Sequence, residues 1–349
     1  MVGSYTVMSH LYIIPIVLEI AGRDGWLSSI FLLVVGLITV SIYTGLGRCM
    51  PGKSLMEISC ILLGNFLGKV IGLLYSVYFL IPPAITLRGL MDFMNISFMP
   101  YTPPFVFALI FLLIGTYATF TGLESIARAN EMILPLLILT GIMLSVMTFP
   151  NKDYQRLFPV LENGTGPVLR GSVPLLALFG EIVVICMLKP TVKYASFWGS
   201  NIVTVLIISL LLIGPLTGPV AVFGKEVASR LYYPTFSQLD YIVEFFENLR
   251  WASVFMWMLG SFGRVSLYYY VSALGLSQVL GISEYKKLIW PVGITILGLS
   301  LFVFPSSFFV RIFIENIYFY IAIVLGVVFP LLLLLIAILK KHLDYYPNV

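Results

Sequence analysis

Charge is what this sequence has least of. Asp, Glu, Lys and Arg make up 10% of its 349 residues, where soluble chains average about 25%. With 60% hydrophobic residues, no soluble domain of this size has interior enough to hide them, so a soluble enzyme or nucleic-acid binder is excluded. Cysteine is scarce too. The three present, Cys49, Cys60 and Cys186, are scattered and lack metal-ligand spacing, which argues against a disulfide framework or a structural zinc site. Cys60 and Cys186 sit in apolar runs and read as packing residues. The two histidines, His10 and His342, have no partners at ligand spacing, so no metal or cofactor is expected. There is no P-loop, dinucleotide-type glycine pattern or nucleophile elbow, and nothing supports ATP-driven transport or enzymatic chemistry. The opening run lacks a basic stretch and a small-residue cleavage site, so no cleavable leader is expected.

What is present is apolar sequence, arranged in runs. Roughly two hundred hydrophobic residues, at about 20 per crossing, make about ten spans. The runs are Val2–Ile20, Trp26–Gly47, Val70–Leu90, Phe105–Phe120, Met132–Phe149, Val173–Leu188, Ala195–Phe223, Trp251–Leu280, Leu288–Phe304 and Ile317–Leu339. Leu55–Leu67 is shorter and mixed, and reads as interfacial or re-entrant. In lipid the backbone must satisfy itself, so spans this long are helices. The chain is expected to be an all-α polytopic membrane protein, one transmembrane domain over 1–349, with exposed loops at 151–172 and 224–250. The net charge of +4 is ordinary topology bias. With the two long connections set aside, Arg23, Arg88 and Arg311 face a larger basic set that includes Arg48, Lys53, Arg128, Lys189 and Lys340, which favours cytoplasmic termini.

The first and sixth runs are poor spans. The first holds Gly3-Ser4, Ser9-His10, Pro15 and Glu19; the sixth is bounded by Pro174 and Pro190 and interrupted at Gly180-Glu181. Interrupted segments in corresponding places of two halves point to an inverted-repeat transporter, with repeats over about 1–150 and 173–340 and a site near the midplane. There, helix ends can hold a substrate carboxylate and freed carbonyls a cation or ammonium. Glu181 is the sharpest residue, because a carboxylate at mid-bilayer costs about 2.5–3.5 kcal/mol on insertion scales. It is either part of a ligand or proton site or a structural carboxylate bonded to backbone. Arg264 bears the same cost and is a candidate partner. Tyr75 and Phe79 share a helix face at i,i+4, and Ser266 with Tyr268, Tyr269 and Tyr270 forms a polar-aromatic patch; such stripes are bundle packing more often than pocket lining, by roughly two to one. Glu124 and Arg128 are expected to pair at i,i+4.

Several motifs, taken together and in order, resemble the GerAB-type endospore germination permeases. They are Ala21-Gly22-Arg23-Asp24-Gly25-Trp26-Leu27-Ser28, Thr102-Pro103-Pro104, Gly122-Leu123-Glu124-Ser125-Ile126-Ala127-Arg128-Ala129-Asn130-Glu131, Leu178-Phe179-Gly180-Glu181 and Tyr233-Pro234-Thr235. The resemblance implies a ten-helix fold of the amino acid–polyamine–organocation superfamily, two inverted five-helix repeats with broken first and sixth helices. It implies a B subunit of a germinant receptor in the spore inner membrane, acting with an A-type and a lipoprotein C-type subunit. Its pocket would bind a small nutrient germinant, often an amino acid. By the same resemblance the pocket is offered here by Gly3, Ser4, Tyr75, Phe79, Leu178, Phe179, Gly180, Glu181, Ser266 and Tyr269. The chain departs from the family in two places. The family has a half helix before the Gly-Ser break, whereas here Met1 almost abuts Gly3, so the natural chain is expected to begin upstream by about 10–15 residues. The family's Arg-x-Asp pair entering the eighth helix is Asn248-Leu249-Arg250 here.

The leading expectation is a nutrient-sensing receptor subunit whose ligand biases a bistable helix pair, with ion release in the assembled complex. The alternative is a free-standing secondary transporter moving an amino acid with H⁺ or Na⁺. A structural scaffold with a vestigial pocket fits Glu181 and the paired interruptions less well.

Overall fold

The computed structural model describes residues 9–191, 194–242 and 247–342. Among them there are helices and turns but no strands. A π turn at Ser9–Ile13 leads into α1 (Ile14–Ala21), and a 3₁₀ turn at Gly22–Asp24 separates it from α2 (Gly25–Cys49). Next come α3 (Leu55–Leu63), α4 (Asn65–Ser97), α5 (Pro104–Thr121) and α6 (Leu123–Met147), then α7 (Gly166–Gly180), α8 (Val184–Leu188) and α9 (Tyr194–Phe223). The chain ends in α10 (Pro234–Ile242), α11 (Glu247–Leu280), α12 (Ile289–Gly298), α13 (Ser307–Phe313), α14 (Phe319–Ile323) and α15 (Phe329–His342).

Among the described residues eight helical stretches are long and apolar enough to cross a membrane. One of these, Ser9–Cys49, is 41 residues long, about 60 Å as a single helix and twice the hydrocarbon thickness. It is two helices meeting at Gly22–Asp24. The 34-residue α11 is long enough to span as well. The chain is an all-helical integral membrane protein.

Several boundaries differ from those read off hydropathy: α4 is Asn65–Ser97 where Val70–Leu90 is expected, and the connection expected at 224–250 holds α10 and the first turn of α11. Helix α6 begins at Leu123 and not at Met132, because Glu124 and Arg128 pair at i,i+4 on its exposed first turns, with Arg128 Nη2 donating to Glu124 at 2.7 Å. An apolarity criterion passes over such a turn. Helix α7 starts at Gly166, so the connection ends at 165 and not at 172; Pro167, which has no N–H to leave unpaired, suits a helix start. The last helical stretch starts at Ser307, ten residues before Ile317. The mixed segment Leu55–Leu67 contains the short α3. Its start is fixed by a capping box in which Ser54 accepts from the Glu57 N–H while the Glu57 carboxylate accepts from the Ser54 N–H. Gly64, at φ +85°, ends it.

The chain divides into two compact units, each assembled from separated stretches. One comprises residues 1–35, 124–176 and 204–264, the other 36–123, 177–203 and 265–349. Within the first unit, the motif after α1 fastens a loop. Arg23 donates to the Phe158 carbonyl at 2.7 Å and pairs with Glu162 at 3.0 Å, while Asp24 accepts from the Leu161 N–H at 3.0 Å. Ser28 donates to the Val168 carbonyl at 2.8 Å. Within the second, α4 buries Gly72, Tyr75, Tyr78 and Phe79 and exposes Leu73, Leu74 and Val77. An apolar face turned outward is what a bilayer requires.

Candidate ligand site

Eight of the ten residues expected at the pocket lie in the second unit. Gly3 and Ser4 lie outside the described residues, and so does any interruption there. Helix α7 does not unwind at Gly180-Glu181; it tightens into one 3₁₀ turn, Glu181–Val183, before α8 resumes. That turn points the Glu181 side chain into a fully buried setting. One carboxylate oxygen accepts from the Tyr318 hydroxyl. The other lies 3.3 Å from the Tyr268 hydroxyl, which is also 3.2 Å from the Glu181 carbonyl. Two phenols therefore satisfy a carboxylate that would otherwise cost several kcal/mol at this depth.

A glycine pair brings the two helices this close. A methyl group on Gly180 would sit 2.2 Å from the Ala322 carbonyl oxygen, and one on Gly326 would sit 2.2 Å from the Gly180 Cα. The contact is backbone on backbone. Around it the last helical stretch is not regular α-helix but holds two π turns, Ile314–Tyr318 and Val324–Val328. A π turn shifts the ladder by one residue and displaces carbonyls from it. Leu325 and Gly326 lie in the second turn; the Leu325 carbonyl accepts from Tyr75 at 2.6 Å, and that of Gly326 accepts from Tyr43.

Tyr75 and Phe79 do share the buried face, with ring centroids 6.0 Å apart. Phe79 lies 6.4 Å from the Tyr268 ring, and Tyr78 stacks on Tyr318 at 6.1 Å. An aromatic chain thus runs from α4 to both phenols that hold Glu181. Leu178 and Phe179 are buried on the last turn of α7. Tyr269 points elsewhere: its hydroxyl donates to the Ile289 carbonyl at 2.6 Å, lies 3.3 Å from Thr116, and fills the space a side chain on Gly293 would need. Ser266 is fully buried beside Gly115, with no hydrogen-bond partner for its hydroxyl among the described residues. Arg264 is also fully buried but belongs to the first unit.

Sequence reasoning passed over Tyr43, Tyr318, Gly326 and the Leu325 carbonyl. No local signal singled them out, since both spans hold other aromatic residues and the first holds several glycines. Lys189 was read as a topology marker. Its ammonium, in a residue 5% exposed, donates to the Gly47 carbonyl and, at 2.7 Å, to that of Met50, closing the C-terminal end of α2.

Apolar helices, one of them tightened at a buried carboxylate held by two tyrosine hydroxyls, define a helical membrane protein. Residues 1–308 match the spore permease family of spore germination proteins, and the chain belongs to that family. Among its relatives, spore germination protein XB of Bacillus anthracis is 29% identical over 269 residues, 76% of each chain. Spore germination protein KB of Bacillus subtilis is 26% identical over 331 residues, 93% of this chain and 89% of that one. Among solved structures the chain is similar to Mhp1, a nucleobase-cation-symport-1 family transporter in a closed conformation with bromovinylhydantoin bound. The TM-score is 0.63 at 12% identity, over 99% of this chain and 90% of that one. At that identity the likeness is one of fold.

Proposed function

We propose that this chain is the nutrient-binding subunit of a spore germinant receptor in the spore inner membrane, working with A-type and C-type subunits. On this reading a small germinant, amino acid-like, engages the Glu181 turn and the neighbouring α4 face, and its binding leads to ion release from the assembled receptor. The observation that carries it is the fully buried Glu181 carboxylate, held by Tyr268 and Tyr318. A ligand ammonium competes directly with the phenols for that carboxylate. Exchanging one donor for another moves Tyr318, and with it the last helical stretch, which gives ligand binding a mechanical output. The inverted repeats over about 1–150 and 173–340 belong to the same proposal.

The test is germination of spores carrying Glu181→Gln across a range of nutrient concentrations. Loss of one charge-assisted bond, about 1.5–3 kcal/mol, predicts a rise of about tenfold or more in the half-maximal nutrient concentration at unchanged subunit level. An unchanged response makes Glu181 purely structural and overturns the proposal. The alternative, an H⁺- or Na⁺-coupled amino acid transporter, is favoured by the fold shared with a cation symporter. Accumulation of labelled amino acid by proteoliposomes holding this chain alone would establish that alternative.

A further inference from the structure

The first unit contains a cavity of about 250 Å³ that takes no part in the Glu181 site. Along α6 its wall runs from Leu134 to Ser145, about 17 Å of helix at 1.5 Å per residue. Leu210, Leu211 and Pro215 of α9 face it, and Leu239 of α10 with Met256 and Trp257 of α11 complete the apolar lining. Two of the wall residues, Ile142 and Leu210, are 56% and 65% exposed. The cavity therefore opens sideways between α6 and α9, on a surface that faces lipid. Gly141 and Gly214, one on each of these helices and both lining the cavity, have nothing within 4 Å of where a methyl group would stand.

The lining is not apolar throughout: His10, Ser145, Thr148, Lys152, Thr235 and Gln238 also belong to it, and Thr148 and Lys152 mark one end. The Thr235 hydroxyl is buried without a hydrogen-bond partner among the described residues. The Lys152 ammonium makes one long contact, 3.4 Å to the Ser145 carbonyl, and among the described residues no carboxylate lies within ion-pair distance of it. Burial pushes the Lys152 pKa below the usual lysine value. This end lies just past Met147, the last residue of α6. Phe149 and Tyr154, which are 61% and 41% exposed, mark the membrane–water interface beside it.

We propose that the cavity is a binding site for an anionic phospholipid of the surrounding bilayer. One acyl chain lies between α6 and α9 along Gly141 and Gly214, and the headgroup phosphate accepts from Lys152 and Thr235. The apolar stretch of the cavity, between α6 and α9, does not hold water comfortably, since water needs two to four polar partners per molecule. The sideways opening at hydrocarbon depth admits an acyl chain directly from the membrane. A cation at the headgroup level then selects the negatively charged lipid. This site stands apart from the Glu181 reading, and neither depends on the other.

The test uses the full chain reconstituted in phosphatidylcholine bilayers with a minor fraction of phosphatidylglycerol, followed by native mass spectrometry of the released protein. The parent should retain one phosphatidylglycerol per chain, enriched over its bilayer fraction. Gly141→Leu and Gly214→Leu each fill the cavity from a different helix and should abolish retention, whereas Gly199→Leu, a glycine also facing open space but away from the cavity, should not. Lys152→Gln should keep a bound lipid but lower the preference for phosphatidylglycerol about fivefold, the worth of one basic residue at the headgroup level. Elution as a single species is required of each variant, and the two leucine variants serve as replicates should one misfold. The proposal is overturned if the parent retains no lipid, if it retains both lipids in bilayer proportion, or if a folded cavity-filling variant retains as much as the parent.

Discussion

Replacing Gly326 by alanine is the sharpest probe of the contact that holds the Glu181 turn. In an ordinary helix interior Gly→Ala adds about 1 kcal/mol of stability by removing backbone freedom from the unfolded chain. Here the added methyl would stand 2.2 Å from the Gly180 Cα and 2.2 Å from its carbonyl oxygen, about 1.3 Å inside ordinary carbon–carbon contact. Both clashing atoms belong to backbone, so no rotamer change relieves them. The last helical stretch must move away from α7, and overpacking of this kind costs about 1–3 kcal/mol or more. The movement also stretches the Tyr318–Glu181 bond, which crosses the same contact, adding about 1 kcal/mol. Set against the helix-propensity gain, the net expectation is a loss of about 1–3 kcal/mol. Thermal unfolding of the purified full chain measures it, with Gly199→Ala as the comparison, since nothing lies within 4 Å of that position. Gly199→Ala should be neutral or stabilising, and Gly326→Ala should lower the midpoint by several degrees. If the two variants melt together, or Gly326→Ala melts higher than the parent, the close approach does not hold the turn.

Tyr318→Phe and Tyr268→Phe should each destabilise the chain by about 1–3 kcal/mol, because each removes a hydroxyl donor to the buried Glu181 carboxylate; paired with Glu181→Gln in double-mutant cycles, they should show coupling above about 0.5 kcal/mol. Tyr75→Ala and Phe79→Ala should raise the half-maximal nutrient concentration for germination, whereas Leu74→Ala, on the exposed face of the same helix, should not; equal effects at all three would mean general loss of packing. Lys189→Met should cost about 1–3 kcal/mol in thermal unfolding, since it removes the donor to two carbonyls at the end of α2. Asp24→Ala should release the Leu161 N–H and speed protease cleavage of the loop around residues 158–162, while leaving the rest of the chain intact.

Legibility in the sequence followed the physics of the solvent. Bilayer and backbone together allow few solutions, so composition and run length alone determined an all-helical membrane protein of about ten spans. They also located most helices to within a few residues. The misses fell where a helix continues through residues that hydropathy scores as loop, as at Glu124–Arg128 and Gly166–Arg170, because local charge pairing and a proline at the helix start are invisible to apolarity. Glu181 stood out for the same solvent reason: a buried carboxylate in lipid must have partners.

Which partners it has was decided only by tertiary structure. Tyr268 and not Tyr269 faces Glu181, because adjacent residues on a helix point about 100° apart and only packing decides which of them turns inward. Tyr318 and Gly326 lie more than a hundred residues along the chain from Glu181, in an apolar stretch with many other aromatic residues that do not mark them out. Their role depends on two π turns and on a glycine–glycine contact that no local pattern encodes. Likewise, the residues after α1 were recognisable as a motif, but their loop partners, Phe158, Leu161 and Glu162, were not. Composition sets how many helices must form; where two of them touch is set by shape, and shape arises only when the chain is folded.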